Sequence, residues 1–156
     1  MKRSTAVLQS GRRERSRAQA LVEFALVAPL FLLTLFAIID FGRYVYYVQI
    51  LNNAAREGTR YAIVHGSNSF QPAGPAPDDQ AVMTIVRNYA IGVIGNGSAF
   101  VVHSDWHDPA NVANPPNNNR GHIVKVSVTY AFNSLIPVVP IPPITITGES
   151  SLVINN

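Results

Sequence analysis

Arg17-Ala18-Gln19-Ala20-Leu21-Val22-Glu23-Phe24-Ala25-Leu26-Val27-Ala28-Pro29-Leu30-Phe31-Leu32-Leu33-Thr34-Leu35-Phe36-Ala37-Ile38-Ile39 decides the fold of this 156-residue chain. A basic segment meets an apolar run with no charge from Phe24 to Ile39 and only Glu23 between Ala18 and that run. Read as a helix, Ala18–Ile39 spans about 33 Å, enough for a hydrocarbon core of ~30 Å. Phe24–Ile39 alone reaches only about 24 Å, so a spanning helix draws Glu23 into or near the interface. An acidic residue deep in a membrane costs about 2.5–3.5 kcal/mol on insertion scales, which makes Glu23 a functional candidate.

Charge is distributed to match. Residues 1–17 hold Lys2, Arg3, Arg12, Arg13, Arg15 and Arg17 against Glu14 alone, a net of +5, while the remainder of the chain carries −2. The positive-inside rule places the N-terminus in the cytoplasm and the later residues outside, which predicts a single-pass membrane protein. A basic surface for nucleic acid would need Lys and Arg across the folded part, and none is spread there. Charged residues make up 13% of the chain, about half the usual share for a soluble domain. With no cysteine, disulfides, thiolate catalysis and Cys-ligated zinc are excluded. A cleaved secretory signal fits poorly. The apolar run is too long, and Asp40-Phe41-Gly42-Arg43-Tyr44 offers no small-x-small site after it.

Helical spacing continues beyond Ile39 through Phe41, Tyr44, Val45, Val48, Leu51, Asn52, Ala55, Tyr61 and Ala62, so one helix over about 18–64 is predicted. His65-Gly66-Ser67-Asn68 reads as its stop. Pro29 removes the hydrogen bond to the Ala25 carbonyl and predicts a kink or loosened turn. Gly42 and Gly58 each cost about 1 kcal/mol relative to alanine, which marks them as sites of close helix–helix approach. Residues 66–79 form a Gly/Pro-rich loop, after which Asp78 or Asp79 caps a second helix to about Ile94, stopped by Gly95-Asn96-Gly97. Strands are expected at 100–103, 123–132, 144–147 and 151–154, with Val124, Val126, Val128 and Tyr130 on one face. A loop from Asp105 to Gly121 and an apolar, proline-rich loop over 133–143 separate them. The fold class is therefore α+β, with a long transmembrane helix continuing outside the membrane and packed, with a second helix, on a small antiparallel sheet. Three parts follow: a basic cytoplasmic leader (1–18), the long helix (19–64, crossing the membrane over about 19–39) and an extracytoplasmic head (65–156).

Catalytic chemistry has little support. His103-Ser104-Asp105-Trp106-His107-Asp108 is the one cluster resembling a metal site, but it follows a strand and precedes Pro109, so the two histidines do not share a helix face. There is no P-loop, GxSxG or GxGxxG. No enzyme activity, cofactor, metal or small-molecule substrate is expected.

Three blocks, Gln19-Ala20-Leu21-Val22-Glu23-Phe24-Ala25-Leu26-Val27-Ala28-Pro29, Ile39-Asp40-Phe41-Gly42-Arg43 and Asn52-Asn53-Ala54-Ala55-Arg56-Glu57-Gly58-Thr59-Arg60-Tyr61-Ala62, together resemble the TadE-like family, pilin-like proteins of the tight-adherence (Flp pilus) machinery. The resemblance covers residues 16–64. It implies cleavage by a prepilin peptidase between Ala18 and Gln19, which makes Glu23 the fifth mature residue and Phe24 the aromatic that follows it. Where the family usually has glycine before the cut, this chain has Ala18. The resemblance further implies that Glu23 neutralises the N-terminus of a neighbouring subunit. Membrane lipid, other pilin-like subunits, the pilus assembly platform and the peptidase are the implied partners. The expected function is a pseudopilin or minor pilin of tight-adherence pilus assembly or a related secretion system. The second reading is an unprocessed single-pass anchor with an extracytoplasmic binding domain.

Overall fold

The computed structural model describes residues 5–94, 100–111, 115–135 and 142–155. Two helices precede three strands: α1 (Thr5–Val64), α2 (Gln80–Ile94), β1 (Phe100–His107), β2 (Ile123–Phe132) and β3 (Ile144–Val153). The predicted stop at Gly95-Asn96-Gly97 and residues 136–141 of the apolar loop lie outside the described residues.

α1 runs for 60 residues, about 90 Å at 1.5 Å per residue. It begins at Thr5 rather than near Ala18, so the basic segment continues the same helix. Residues 6–17 supply Ala, Leu, Gln, Glu and Arg with no proline, and nothing there ends a helix. Pro29 sits inside α1, which remains helical on both sides of it. The C-terminal end falls where expected. His65 N–H still bonds the Tyr61 carbonyl, and the chain then turns at Gly66–Ser69.

The last five turns of α1 bury one face. Leu51, Ala54, Ala55, Gly58, Thr59 and Ala62 are buried, a three/four spacing that matches the helical period. That face meets α2 through Val82, Val86 and Ala90, and the sheet through Val124, Val126, Val128 and Ile146. Each fully buried Val, Leu or Ile side chain contributes about 1.5–3 kcal/mol. The small residues of α1 let the larger ones opposite come close. A Cβ on Gly58 would overlap Val86 Cγ2 and lie 3.5 Å from Val126.

The sheet is antiparallel, in the order β1-β2-β3. Val124, Val126 and Val128 face the core as predicted, with Tyr130 packed at its margin. Two expectations need correction. β1 extends to His107 instead of ending at His103, because Val102, Ser104 and Trp106 alternate inward across from Val128, Val126 and Val124. The two C-terminal segments are one strand, β3, which passes through Gly148 without turning. Gly148 is the point where α1 crosses closest to the sheet, and a Cβ there would overlap the backbone of Leu51 and Asn52. Glycine in this strand marks a close backbone approach.

Asp79 immediately precedes α2 and is buried. Its carboxylate reaches the sheet: Ser104 Oγ donates to Asp79 Oδ2 at 2.8 Å, and Trp106 Nε1 donates to Ser104 Oγ at 3.1 Å. This relay ties the start of α2 to β1.

Candidate functional site

Two sites lie along α1. At the first, Ala18, Gln19, Glu23 and Phe24 occupy consecutive turns and all are exposed. Gln19 Nε2 donates to Glu23 Oε1 at 3.5 Å, the one-turn relation of an i, i+4 pair. Among the described residues Glu23 has no ion-pair partner. Its neighbours Leu21, Val22, Leu26 and Val27 are exposed large apolar side chains, as are Leu30, Phe31 and Ile38 farther on. The helix is long and apolar enough to cross a membrane, and none of its apolar window is buried within the protein.

Gly42 and Gly58, both read as contact glycines, have different surroundings. Gly58 lies at the crossing of α1 with α2. Gly42 is exposed, with nothing within 4 Å of the position a Cβ would take.

The second site stands where α1 leaves its apolar stretch. Asp40 is buried there, the only acidic side chain of α1 that is, among those described. It accepts hydrogen bonds from Ser134 Oγ and, at 2.8 Å, from the backbone N–H of Leu135. Arg43, one turn on, closes an ion pair with it at 2.9 Å. The guanidinium lies 5.1 Å from the ring centre of Phe132 and 5.7 Å from that of Tyr47. Those rings meet edge to face at 5.7 Å, and Tyr44 and Tyr130 extend the cluster. Together these groups clasp the end of β2 to α1. The Ser134 hydroxyl first, then the Leu135 N–H and Arg43, hold the Asp40 carboxyl below the usual carboxylate range against the opposing effect of burial.

Sequence reasoning noted Asp40 and Arg43 within a family block but gave them no role. Their partners Ser134 and Leu135 are 94 and 95 residues away. The available signal was a carboxylate and an arginine three apart, immediately after an apolar span. The His103–Asp108 cluster does not assemble. His103, Asp105 and His107 alternate along the outer face of β1, where the two histidines are separated by about 13 Å of strand. Among the described residues no group of three or more His, Asp or Glu side chains is placed to hold a metal.

The geometry defines a class of protein: an apolar helix of membrane-crossing length that becomes the spine of an α+β head, as in pilin-like folds. Residues 18–60 match the family described as TadE-like protein. The match begins at Ala18 and ends four residues before the end of α1. No curated protein and no solved structure matches the chain. The TadE-like domain supports a part in tight-adherence pilus function, with membrane anchoring and contacts between pilus subunits.

Proposed function

We propose that the protein is a pseudopilin or minor pilin of the tight-adherence (Flp-type) pilus assembly system or a related secretion system. It acts as a structural subunit, not an enzyme. The observation that carries this reading is the coincidence of the TadE-like match with the exposed apolar part of α1 and its buried continuation. The head stands outside the inner membrane and the basic leader stands in the cytoplasm, following the +5 charge of residues 1–17.

A prepilin peptidase removes the leader between Ala18 and Gln19. The cut discards the basic segment and creates an α-amino group one helical turn from Glu23, where Gln19 already lies against the carboxylate. In an assembled bundle Glu23 pairs with the N-terminus of a neighbouring subunit. The pairing offsets the cost of placing the carboxylate in a low-dielectric environment and fixes the axial register of the subunits. Phe24 adds an aromatic contact beside it.

Intact-mass measurement of the protein extracted from membranes tests the processing step. A chain beginning at Gln19 supports it. A chain beginning at Met1 contradicts it and favours the unprocessed anchor with a binding head. Recovery of the chain from sheared filaments marks a filament subunit, and its absence from them marks an assembly-platform role.

A further inference from the structure

An apolar groove of about 370 Å³ opens beside the Asp40 clasp. Ala37, Phe41 and Tyr44 of α1 form one wall, and Phe132 and Ile144 form the other. Asp40 and Ser134, bonded to each other, close its floor. The groove straddles the end of the apolar stretch. Ala37 lies about 4.5 Å before Asp40 along the helix axis, and Tyr44 about 6 Å after it.

The surroundings of the groove continue the lipid-facing surface of the span without a break. Ile38, Phe41, Leu135 and Ile144 are exposed large apolar side chains around it. Tyr44, Tyr46 and Tyr47 follow within the next two turns, the placement of an interfacial aromatic belt. Arg43 leaves 31% of its side chain exposed at the level of the headgroups. Asp40 takes its Nη1 and the Tyr47 side chain a further hydrogen bond, out of the five N–H donors of a guanidinium.

We propose that this groove holds an acyl chain of a phospholipid from the leaflet under the head, with the lipid phosphate toward Arg43. The inference rests on the reading of α1 as a membrane anchor. Lining and position select the occupant. Water would wet Ala37, Phe41, Phe132 and Ile144, whose side chains have no donor or acceptor to satisfy. An acyl chain is slender and apolar, and it is already present against Ala37 if the span lies in a bilayer. The bound lipid fixes the height and tilt of the head over the membrane, because the groove's walls belong to both α1 and the sheet.

The chain has no cysteine, so single spin labels can be placed at will. Nitroxides are attached to Leu33→Cys, Ile144→Cys and Val153→Cys variants of the full chain in vesicles of phosphatidylethanolamine and phosphatidylglycerol. Collision with oxygen is then compared with collision with a water-soluble nickel chelate. Ile144 and Val153 are 47% and 48% exposed at opposite ends of β3, so exposure alone does not separate them. The expected result is a several-fold higher oxygen-to-nickel ratio at Ile144 than at Val153, approaching that at Leu33. A water-type ratio at Ile144 with a lipid-type ratio at Leu33 overturns the groove and leaves the anchor standing. A water-type ratio at Leu33 overturns the anchor reading and the groove with it. Dipolar broadening at Ile144 that vanishes on dilution with unlabelled chain assigns the groove to a second copy and overturns the lipid. As an independent reading, a spin-labelled phospholipid should show a motionally restricted component with the wild-type chain that Ala37→Trp removes. Its persistence in that variant overturns the proposal.

Discussion

The two halves of α1 are continuous in backbone and opposite in surroundings. From Leu21 to Ile39 large apolar side chains point outward on every side, and Phe24 is 70% exposed. From Leu51 to Ala62 the buried positions are mostly small, Ala54, Ala55, Gly58, Thr59 and Ala62, and they repeat at helical spacing. A helix that is apolar all round matches a lipid solvent, whereas a single apolar stripe matches a protein core. Side-chain size follows the same division. Lipid adapts to bulky Leu and Phe, but α2 and the sheet approach the second half only where the helix offers no bulk. Asp40 marks the changeover.

The largest expected effect falls on the core that the second half organises. Trp106 is fully buried and bonded to Ser104, so Trp106→Ala should destabilise the head by about 3–5 kcal/mol. Chemical denaturation of the full chain in micelles, followed by circular dichroism, should show that loss while the helical signal of the span persists. If span and head unfold together, the division of α1 into two environments is wrong.

Next come the glycines, which set one half against the other. Gly148→Ala drives a Cβ into the backbone of Leu51 and should cost about 1–3 kcal/mol or more, because backbone cannot step aside. Gly42→Ala meets nothing within 4 Å among the described residues and should stabilise the helix by up to about 1 kcal/mol. Fluorescence of Trp106, the only tryptophan, reports both variants during denaturation. Equal effects at the two glycines would break the comparison.

At the changeover itself, Asp40→Asn should cost about 1–3 kcal/mol, since the Leu135 N–H and Arg43 lose a charged partner. The pH dependence follows from the lowered titration of Asp40. Its contribution is complete above the ordinary carboxylate range and is lost as pH falls through that range toward the folded-state value. The wild-type head should therefore weaken in acid more steeply than the Asp40→Asn variant. Parallel acid limbs in the two proteins would remove Asp40 from the clasp.

The smallest effect on stability is expected in the lipid-facing half. Glu23→Gln should leave the head within about 0.5 kcal/mol of wild type and still insert into membranes, because among the described residues the carboxylate's hydrogen-bond partner is Gln19, on the same helix and far from the core. Its effect should appear in pilus assembly, which should be impaired. Normal assembly by this variant would refute the pairing role.

Much of this division was legible in the sequence because it is written in local patterns. Uninterrupted apolarity gave the span, three/four spacing gave the second half of α1, and alternation in 123–132 gave the central strand. Polar residues hid the rest. His103–Asp108 looks like a loop until its inward residues, Val102, Ser104 and Trp106, are read as one side of a strand. Gly148 looks like a break between strands, whereas its missing side chain is what lets α1 cross the sheet. The Asp40 clasp was out of reach for a different reason. Its partners come from the far end of β2, and no local pattern encodes a pairing across more than ninety residues.

The contrast between the two halves of α1 is tested most directly by cysteine scanning from Ala20 to Val64 in native membranes, read with a membrane-impermeant maleimide. The account predicts an unreactive block through Ile39. Beyond it, reactivity should rise and fall with the helical period, with Asn53, Arg56 and Arg60 labelled and Leu51, Ala55, Thr59 and Ala62 protected. Periodic labelling that continues through residues 20–39 would show the first half packed against protein in water, and would contradict the membrane anchor.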